Sequence, residues 1–282
     1  MSAIGKLTVK IFSDGADFES IMAMYANPWI KGFTTNPTLM RKAGILDYEA
    51  FGRNLLHAIP DRPISLEVFA DDVSEMEAQA LAIASWGENV NVKIPVTNRA
   101  GVFMGPLIHR LSCAGVVLNI TAILTLDQVE RVAEALSPAT PAIVSVFAGR
   151  IADTGVDPVP GVRRAGEILR CRPKAELLWA SPRELLNIFQ ANDAGCNIIT
   201  VPPEILYKLD LVGKDLADYS LETVNMFHQD ALASAYRINT DFLPRSSLLR
   251  AAGVRPRHAS AKISFAAAAR SGARLSGRGP SS

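Results

Sequence analysis

Lys93 lies in the run Val92-Lys93-Ile94-Pro95-Val96-Thr97, with apolar residues on both sides. If that run is a strand of a parallel sheet, the ammonium is enclosed and partly dehydrated, and burial disfavours its charge. A neutral amine attacks a ketone carbon, so Lys93 is a candidate nucleophile for Schiff-base chemistry. The plainer alternatives are that it ends its strand and snorkels to water, or that it pairs with Glu67. Glu67 itself interrupts the run ISLEVFA, and an isolated carboxylate among apolar neighbours is costly unless paired or hydrogen-bonded. Other polar residues sit at or near the ends of apolar runs: Asp14, Asn36, Asn119, Thr121, Ser145 and Ser181. Each has an ordinary explanation: Asp14-Gly15 and Asn36-Pro37 as turns, Asp17 and Thr121 as helix caps, Ser181-Pro182 as a helix entrance. Arg150 and Arg183 follow two of the later runs. Their guanidinium forks suit phosphate oxygens, or surface salt bridges.

What could bring these residues together is a repeated β-α arrangement. Eight Val/Ile/Leu-rich runs alternate with longer amphipathic stretches. They are LTVKIFS from Leu7, GFTTN from Gly32, ISLEVFA from Ile64, VNVKIPV from Val90, GVVLNIT from Gly115, AIVSVFA from Ala142, ELLWAS from Glu176 and NIITVPP from Asn197. The count of eight, with polar residues gathered at strand ends, favours a closed (β/α)8 TIM barrel over an open doubly wound sheet. In such a barrel the C-terminal strand ends converge on one pocket, and the loops after the seventh and eighth strands often hold phosphate. Ser74 with Glu77 three residues later reads as a capping box opening a helix. An extra helix is expected after the eighth strand, with Leu221, Val224, Phe227, His228 and Ala231 along one face.

The barrel is expected to span residues 1–243. From Pro244 to residue 282 the composition turns to Ser, Ala, Gly and Arg, with eight Lys/Arg and no acid, so the rest of the chain has 21 basic against 28 acidic residues, a formal net of −7. A tail of that composition buries too little apolar surface to offset its ordering entropy and is expected to be disordered.

Bulk properties exclude several functions. The whole-chain charge of +1 gives no electrostatic reason to expect nucleic acid or anionic lipid as a partner. No apolar run approaches the ~18–20 residues needed to span a bilayer, and the first residues lack a secretory pattern, so a cytoplasmic protein is expected. Cys113, Cys171 and Cys196 are odd in number and widely spaced, as reduced thiols would be. Four scattered histidines offer no metal-binding spacing, and no glycine-rich nucleotide loop is present; neither metal nor cofactor is expected. Self-association stays open.

The motifs Gly32-Phe33-Thr34-Thr35-Asn36-Pro37-Thr38, Val92-Lys93-Ile94-Pro95, Asn119-Ile120-Thr121, Ser145 to Ile151 and Ala180-Ser181-Pro182-Arg183 resemble, in order and spacing, those of transaldolases. The resemblance runs from about Lys10 to Ala235 and does not reach the basic tail. It implies that Lys93 is the Schiff-base lysine, Asp14 the acid/base, and Glu67 with Thr121 the pair that positions a water. It also implies that Asn36, Asn119 and Ser145 hold dihydroxyacetone hydroxyls, and that Arg150, Ser181 and Arg183 bind a sugar phosphate. The related fructose-6-phosphate aldolases carry a tyrosine in place of Phe147 and commonly a glutamine in place of Glu67. A phenol can protonate the three-carbon enamine and release it, whereas a phenyl ring cannot, so Phe147 favours transfer over cleavage. Pro182 departs from the family pattern, which often has a bulky residue there. The implied activity is movement of a dihydroxyacetone unit from sedoheptulose 7-phosphate or fructose 6-phosphate to an aldose phosphate. The rivals are an aldolase-type lyase, a relative acting on a sulfonated sugar, and a silent barrel or tail-borne nucleic-acid binder. The intact lysine, acid/base and water-handling set argues against silence.

Overall fold

A computed structural model describes residues 3–239. The basic stretch from Pro244, and with it the expected boundary at residue 243, lies outside the described residues. Residues up to Asp215 form one compact unit, and Leu216 begins a second.

The first unit is the expected closed barrel. Its strands are β1 (Lys10–Asp14), β2 (Ile30–Thr34), β3 (Ile64–Glu67), β4 (Val90–Pro95), β5 (Leu118–Ile123), β6 (Ala142–Val146), β7 (Ala175–Trp179) and β8 (Ile198–Val201). All are parallel, each pairs with the next, and β8 pairs with β1. The side chains alternate between two environments, as the two-residue period of a strand requires. Ile11, Phe33, Leu66, Val92, Ile120, Val144, Leu177 and Ile199 join the core shared with the helices, while Phe12, Ile143, Leu178, Ala180 and Ile198 form a separate apolar cluster. That second cluster packs inside the barrel. Its Phe12 ring lies over Gly32, where an added Cβ would come within 2.6 Å of the ring, so residue 32 must lack a side chain for the ring to fit. Phe12, Ile143 and Ile198 each precede a polar inward residue by two positions (Asp14, Ser145 and Thr200) and form the floor beneath them.

Helix starts follow from short polar side chains. Asp17, Asp47, Asp72 and Asp157 each accept a hydrogen bond from a free first-turn N–H, and Thr125 with Gln128 forms a capping box; such a cap is typically worth ~1 kcal/mol. The expected capping box at Ser74 is corrected. Helix Val73–Ala84 begins earlier, on Asp72, whose carboxylate is a stronger acceptor and takes the N–H groups of both Ser74 and Glu75. Strand limits also move. Phe147 is no strand residue but the entry to helix Ala148–Ala152, because β6 ends at Val146 and the backbone turns at Phe147 itself, with φ −83° and ψ 62°. Thr121 is no helix cap: β5 continues to Ile123, and Thr125 caps the helix that follows.

The second unit contains the expected extra helix, Leu216–Ala233. None of its residues is buried; Leu221, Val224 and Phe227 are exposed.

Candidate active site

The C-terminal strand ends of the barrel surround a cavity of about 600 Å³. All eleven residues singled out from the sequence line it: Asp14, Asn36, Glu67, Lys93, Asn119, Thr121, Ser145, Phe147, Arg150, Ser181 and Arg183.

Lys93 comes from the middle of β4, in register with Glu67 on β3 and Asn119 on β5. It is 7 % exposed, and its Nζ donates to the Thr35 carbonyl at 2.8 Å and meets Glu67 Oε2 at 2.9 Å. Enclosure and carboxylate pairing, alternatives in the sequence, therefore occur together. Glu67 has its own support. Beyond Ser65, β3 has no further pairing with β2, and the backbone N–H and C=O of Glu67 are taken instead by one phenol. The Glu67 N–H donates to Tyr48 Oη at 2.7 Å, and Tyr48 Oη donates to the Glu67 carbonyl at 2.9 Å. Burial pushes the Tyr48 phenol well above its ordinary pKa, so it stays protonated and able to donate.

Asp14 ends β1 and accepts from Thr34 Oγ1 at 2.7 Å. Burial raises its pKa above the ordinary aspartate range; the Lys93 charge and the Thr34 hydrogen bond oppose that rise, while Glu67 and Glu204 add to it. A carboxyl so placed exchanges a proton more readily near neutral pH than a solvated aspartate.

The hydroxyl-binding candidates are also organised. Asn119, fully buried, donates from Nδ2 to Ser65 Oγ at 3.0 Å and accepts from Ser145 Oγ at 2.6 Å, which fixes its amide plane. The Asn36 Oδ1 caps helix Pro37–Lys42 by accepting from the Leu39 N–H. Thr121 Oγ1 is buried without a hydrogen-bond partner, beside Ala122, whose φ of 63° marks a bulge where the β5–β6 register shifts. Left-handed backbone at a non-glycine residue is costly and gathers at functional sites.

The two arginines lie at the mouth. Arg150, in helix Ala148–Ala152, stacks 5.5 Å from the Phe147 ring centroid. Arg183 is held by Asp153 through Nη2 at 2.5 Å and Nε at 2.8 Å, which keeps the Asp153 carboxyl below the usual range. So Arg183 is a surface salt-bridge residue, as its plainer reading has it, and a pocket-lining one as well. The two segments touch at Gly149: a Cβ there would lie 1.5 Å from the Ser181 carbonyl oxygen, and Ser181 itself has φ 58°. Only glycine permits this approach.

Five contributors escaped the sequence reading. Ser65 and Thr200 are lone hydroxyls in apolar runs, the same signal that singled out Asn119, while Thr34 opens the polar run Thr34-Thr35-Asn36 that ends β2. Lys42 joins Lys93, Arg150 and Arg183 as a fourth cationic side chain at the cavity wall. Tyr48 gives no sequence signal, since its hydroxyl acts on backbone nineteen residues away.

A family model described as Transaldolase/Fructose-6-phosphate aldolase matches residues 11–266. The match runs past Ala235 into the basic stretch, which corrects the expectation that the resemblance stops short of it. Among similar proteins, a "Probable transaldolase" of Dehalococcoides mccartyi is 35% identical over 205 residues, covering 71% of this chain and 90% of that protein. A "Probable transaldolase 2" of Listeria monocytogenes is 32% identical over 202 residues, 71% of this chain and 88% of its own length. A "Probable transaldolase" of Methanococcus maripaludis is 31% identical over 226 residues, 76% of this chain and 99% of that one. Solved structures of 3-hexulose-6-phosphate synthase share the fold alone: one has TM-score 0.51 at 15% identity over 72% of this chain and 94% of its own, and that from Salmonella typhimurium has 0.50 at 14% over 73% and 94%.

Proposed function

Because the chain belongs to the transaldolase/fructose-6-phosphate aldolase family, we propose that it is a transferase moving a dihydroxyacetone unit from a ketose phosphate to an aldose phosphate through a Schiff base on Lys93. The observation that carries this reading is a buried Lys93 Nζ 2.9 Å from Glu67, in one cavity with Asp14 and with a phenyl ring at position 147.

Sedoheptulose 7-phosphate or fructose 6-phosphate is the donor. Lys93 passes a proton to Glu67 and attacks the ketone carbon; loss of water leaves an iminium, with Glu67 and the unpartnered Thr121 hydroxyl holding that water. Asp14 takes the proton of the hydroxyl carried by the far carbon of the bond to be broken, the carbon that becomes the aldehyde. The carbon–carbon bond then cleaves, its electrons pass into the iminium to give an enamine, and the aldose leaves. The enamine attacks the acceptor aldehyde, Asp14 returns its proton to the new hydroxyl, and water releases the product ketose. Asn36, Asn119 and Ser145 hold the hydroxyls of the three-carbon unit, while Arg150, Ser181 and Arg183 meet the phosphate. Phe147 has no proton to give, so the enamine waits for an aldehyde. No cofactor enters this scheme. Among the described residues no helix is long and apolar enough to cross a membrane, and the phosphorylated substrates suit a cytoplasmic setting without membrane or nucleic-acid partners.

The test is borohydride reduction in the presence of fructose 6-phosphate, followed by peptide mass mapping. One adduct on the Lys93 peptide is expected, with none, and no turnover, in Lys93→Ala; undiminished turnover in that variant removes the mechanism. With acceptor omitted, free dihydroxyacetone should appear far more slowly than transfer to erythrose 4-phosphate. Equal rates would make the protein a lyase.

A further inference from the structure

Thr200 lies in β8, across the barrel interior from Thr34 in β2, with Asp14 on the strand between them. All three point into the cavity. Thr200 is 6 % exposed and Thr34 3 %. Their Oγ1 atoms are 2.5 Å apart, and Thr34 Oγ1 is 2.7 Å from Asp14 Oδ1. The two hydroxyls form a chain that ends on the carboxyl.

Each hydroxyl has one proton, so the direction of the chain is a choice. If Thr34 donates to Thr200, it offers Asp14 only a lone pair, which suits a protonated carboxyl. If Thr200 donates to Thr34, the Thr34 proton is committed to Asp14, which suits a carboxylate. Were Thr200 apolar, Thr34 would still reach Asp14, but as a donor not polarised by a second hydroxyl behind it. The floor residues Phe12 and Ile198 supply no competing polar group.

We propose that Thr200 is a positioning residue for Asp14: through Thr34 it sets the direction of the hydrogen bond on the carboxyl, holding Asp14 as a proton acceptor when substrate arrives and reversing when Asp14 carries the proton. This rests on the reading of Asp14 as the acid/base of the lysine chemistry. The two arrangements use the same heavy-atom positions, so the proton is taken and returned without side-chain movement. The charged groups facing Asp14 are Lys93 from β4, Glu67 from β3 and Glu204 from the helix Pro203–Leu206 after β8. Substitution at Thr200 leaves all three in place, so a change in the titration of Asp14 reports the hydroxyl chain.

The experiment compares wild type with Thr200→Val, which keeps the shape, and Thr200→Ser, which keeps the hydroxyl. In the substrate-free protein, the Asp14 carboxyl is followed by carbon-13 NMR against pH, its resonance assigned by its loss in Asp14→Asn. Thr200→Val should move the midpoint upward by about half a pH unit, the scale of one modest hydrogen-bond contribution, and Thr200→Ser should restore it. The acidic limb of kcat/KM for ketose cleavage should move the same way, because the base must be ionised to act; a merely structural loss would lower activity at every pH alike. An unmoved midpoint in folded Thr200→Val, or a Ser variant that behaves like Val, overturns the proposal. The NMR titration decides it even if wild type turns over no ketose phosphate, an outcome that would instead reject the reading of the reaction.

Discussion

Lys93, Glu67 and Asp14 enter the cavity from strands, and each is held by a fixed neighbour: the Thr35 carbonyl, the Tyr48 phenol and the Thr34 hydroxyl. Arg150 and Arg183 enter it from a short helix and a loop, are exposed, and find their partners in an aromatic ring and a surface carboxylate. A strand side chain inside a barrel has its direction set by the sheet, and a misplacement of one ångström costs the whole arrangement. A long guanidinium at the mouth reaches its partner by side-chain rotation and gives up one contact for another at small cost. Under the proposed reaction the difference separates two demands on one pocket: making and breaking bonds needs preorganisation, whereas gripping a phosphate needs charge and reach.

The deepest break in that contrast should come from Asp14→Asn. The variant keeps the shape and should still be trapped on Lys93 by borohydride, yet cleave ketose ~10²–10⁴-fold more slowly, the usual worth of acid/base catalysis. Equal losses of trapping and cleavage would make Asp14 structural. At the mouth, Arg150→Ala and Arg183→Ala should raise KM for phosphorylated sugars by roughly 10- to 100-fold, as loss of a charge-assisted hydrogen bond does, and leave unphosphorylated sugars nearly unaffected. Arg183 should show the smaller effect, since Asp153 already claims its guanidinium. A drop in kcat for both substrate classes would place the arginines with the reaction centre. The mildest expected change is Tyr48→Phe. It leaves the Glu67 N–H and C=O without their partner and should destabilise the fold by about 1–3 kcal/mol in denaturant unfolding, with a few-fold slower imine formation and unchanged affinity for phosphate. Stability equal to wild type would show that the end of β3 needs no such support.

The sequence exposed the proposed reaction centre more fully than its surroundings, for a physical reason. Lys93, Glu67 and Asn119 are polar intrusions into apolar runs, and such an intrusion is costly unless function or a partner offsets it. That pattern also yielded the eight strands and their closure. Thr200 and Ser65 carry the same signal in weaker form, because a hydroxyl is small enough to be tolerated in many cores. Tyr48 was invisible: nothing in the first residue of a helix tells that its ring will reach the backbone of β3. The helix start at Asp72 was displaced to Ser74 by a capping-box spacing that a nearby carboxylate outcompetes. For Arg183, the sequence offered phosphate binding and a salt bridge as rivals, and only the distance to Asp153 showed that one did not preclude the other.

The Phe12 ring seated over Gly32 closes the barrel interior beneath the lysine. A chamber with a floor has a single doorway, so the aldose released from the donor departs by the passage through which the acceptor arrives. Under the proposed reaction the two aldoses never share the site: one must vacate before the other enters, with the three-carbon fragment kept on the enzyme between them. The barrel's filled interior thus imposes a substituted-enzyme order on the reaction, and an excess of either aldose delays the other by standing in the doorway.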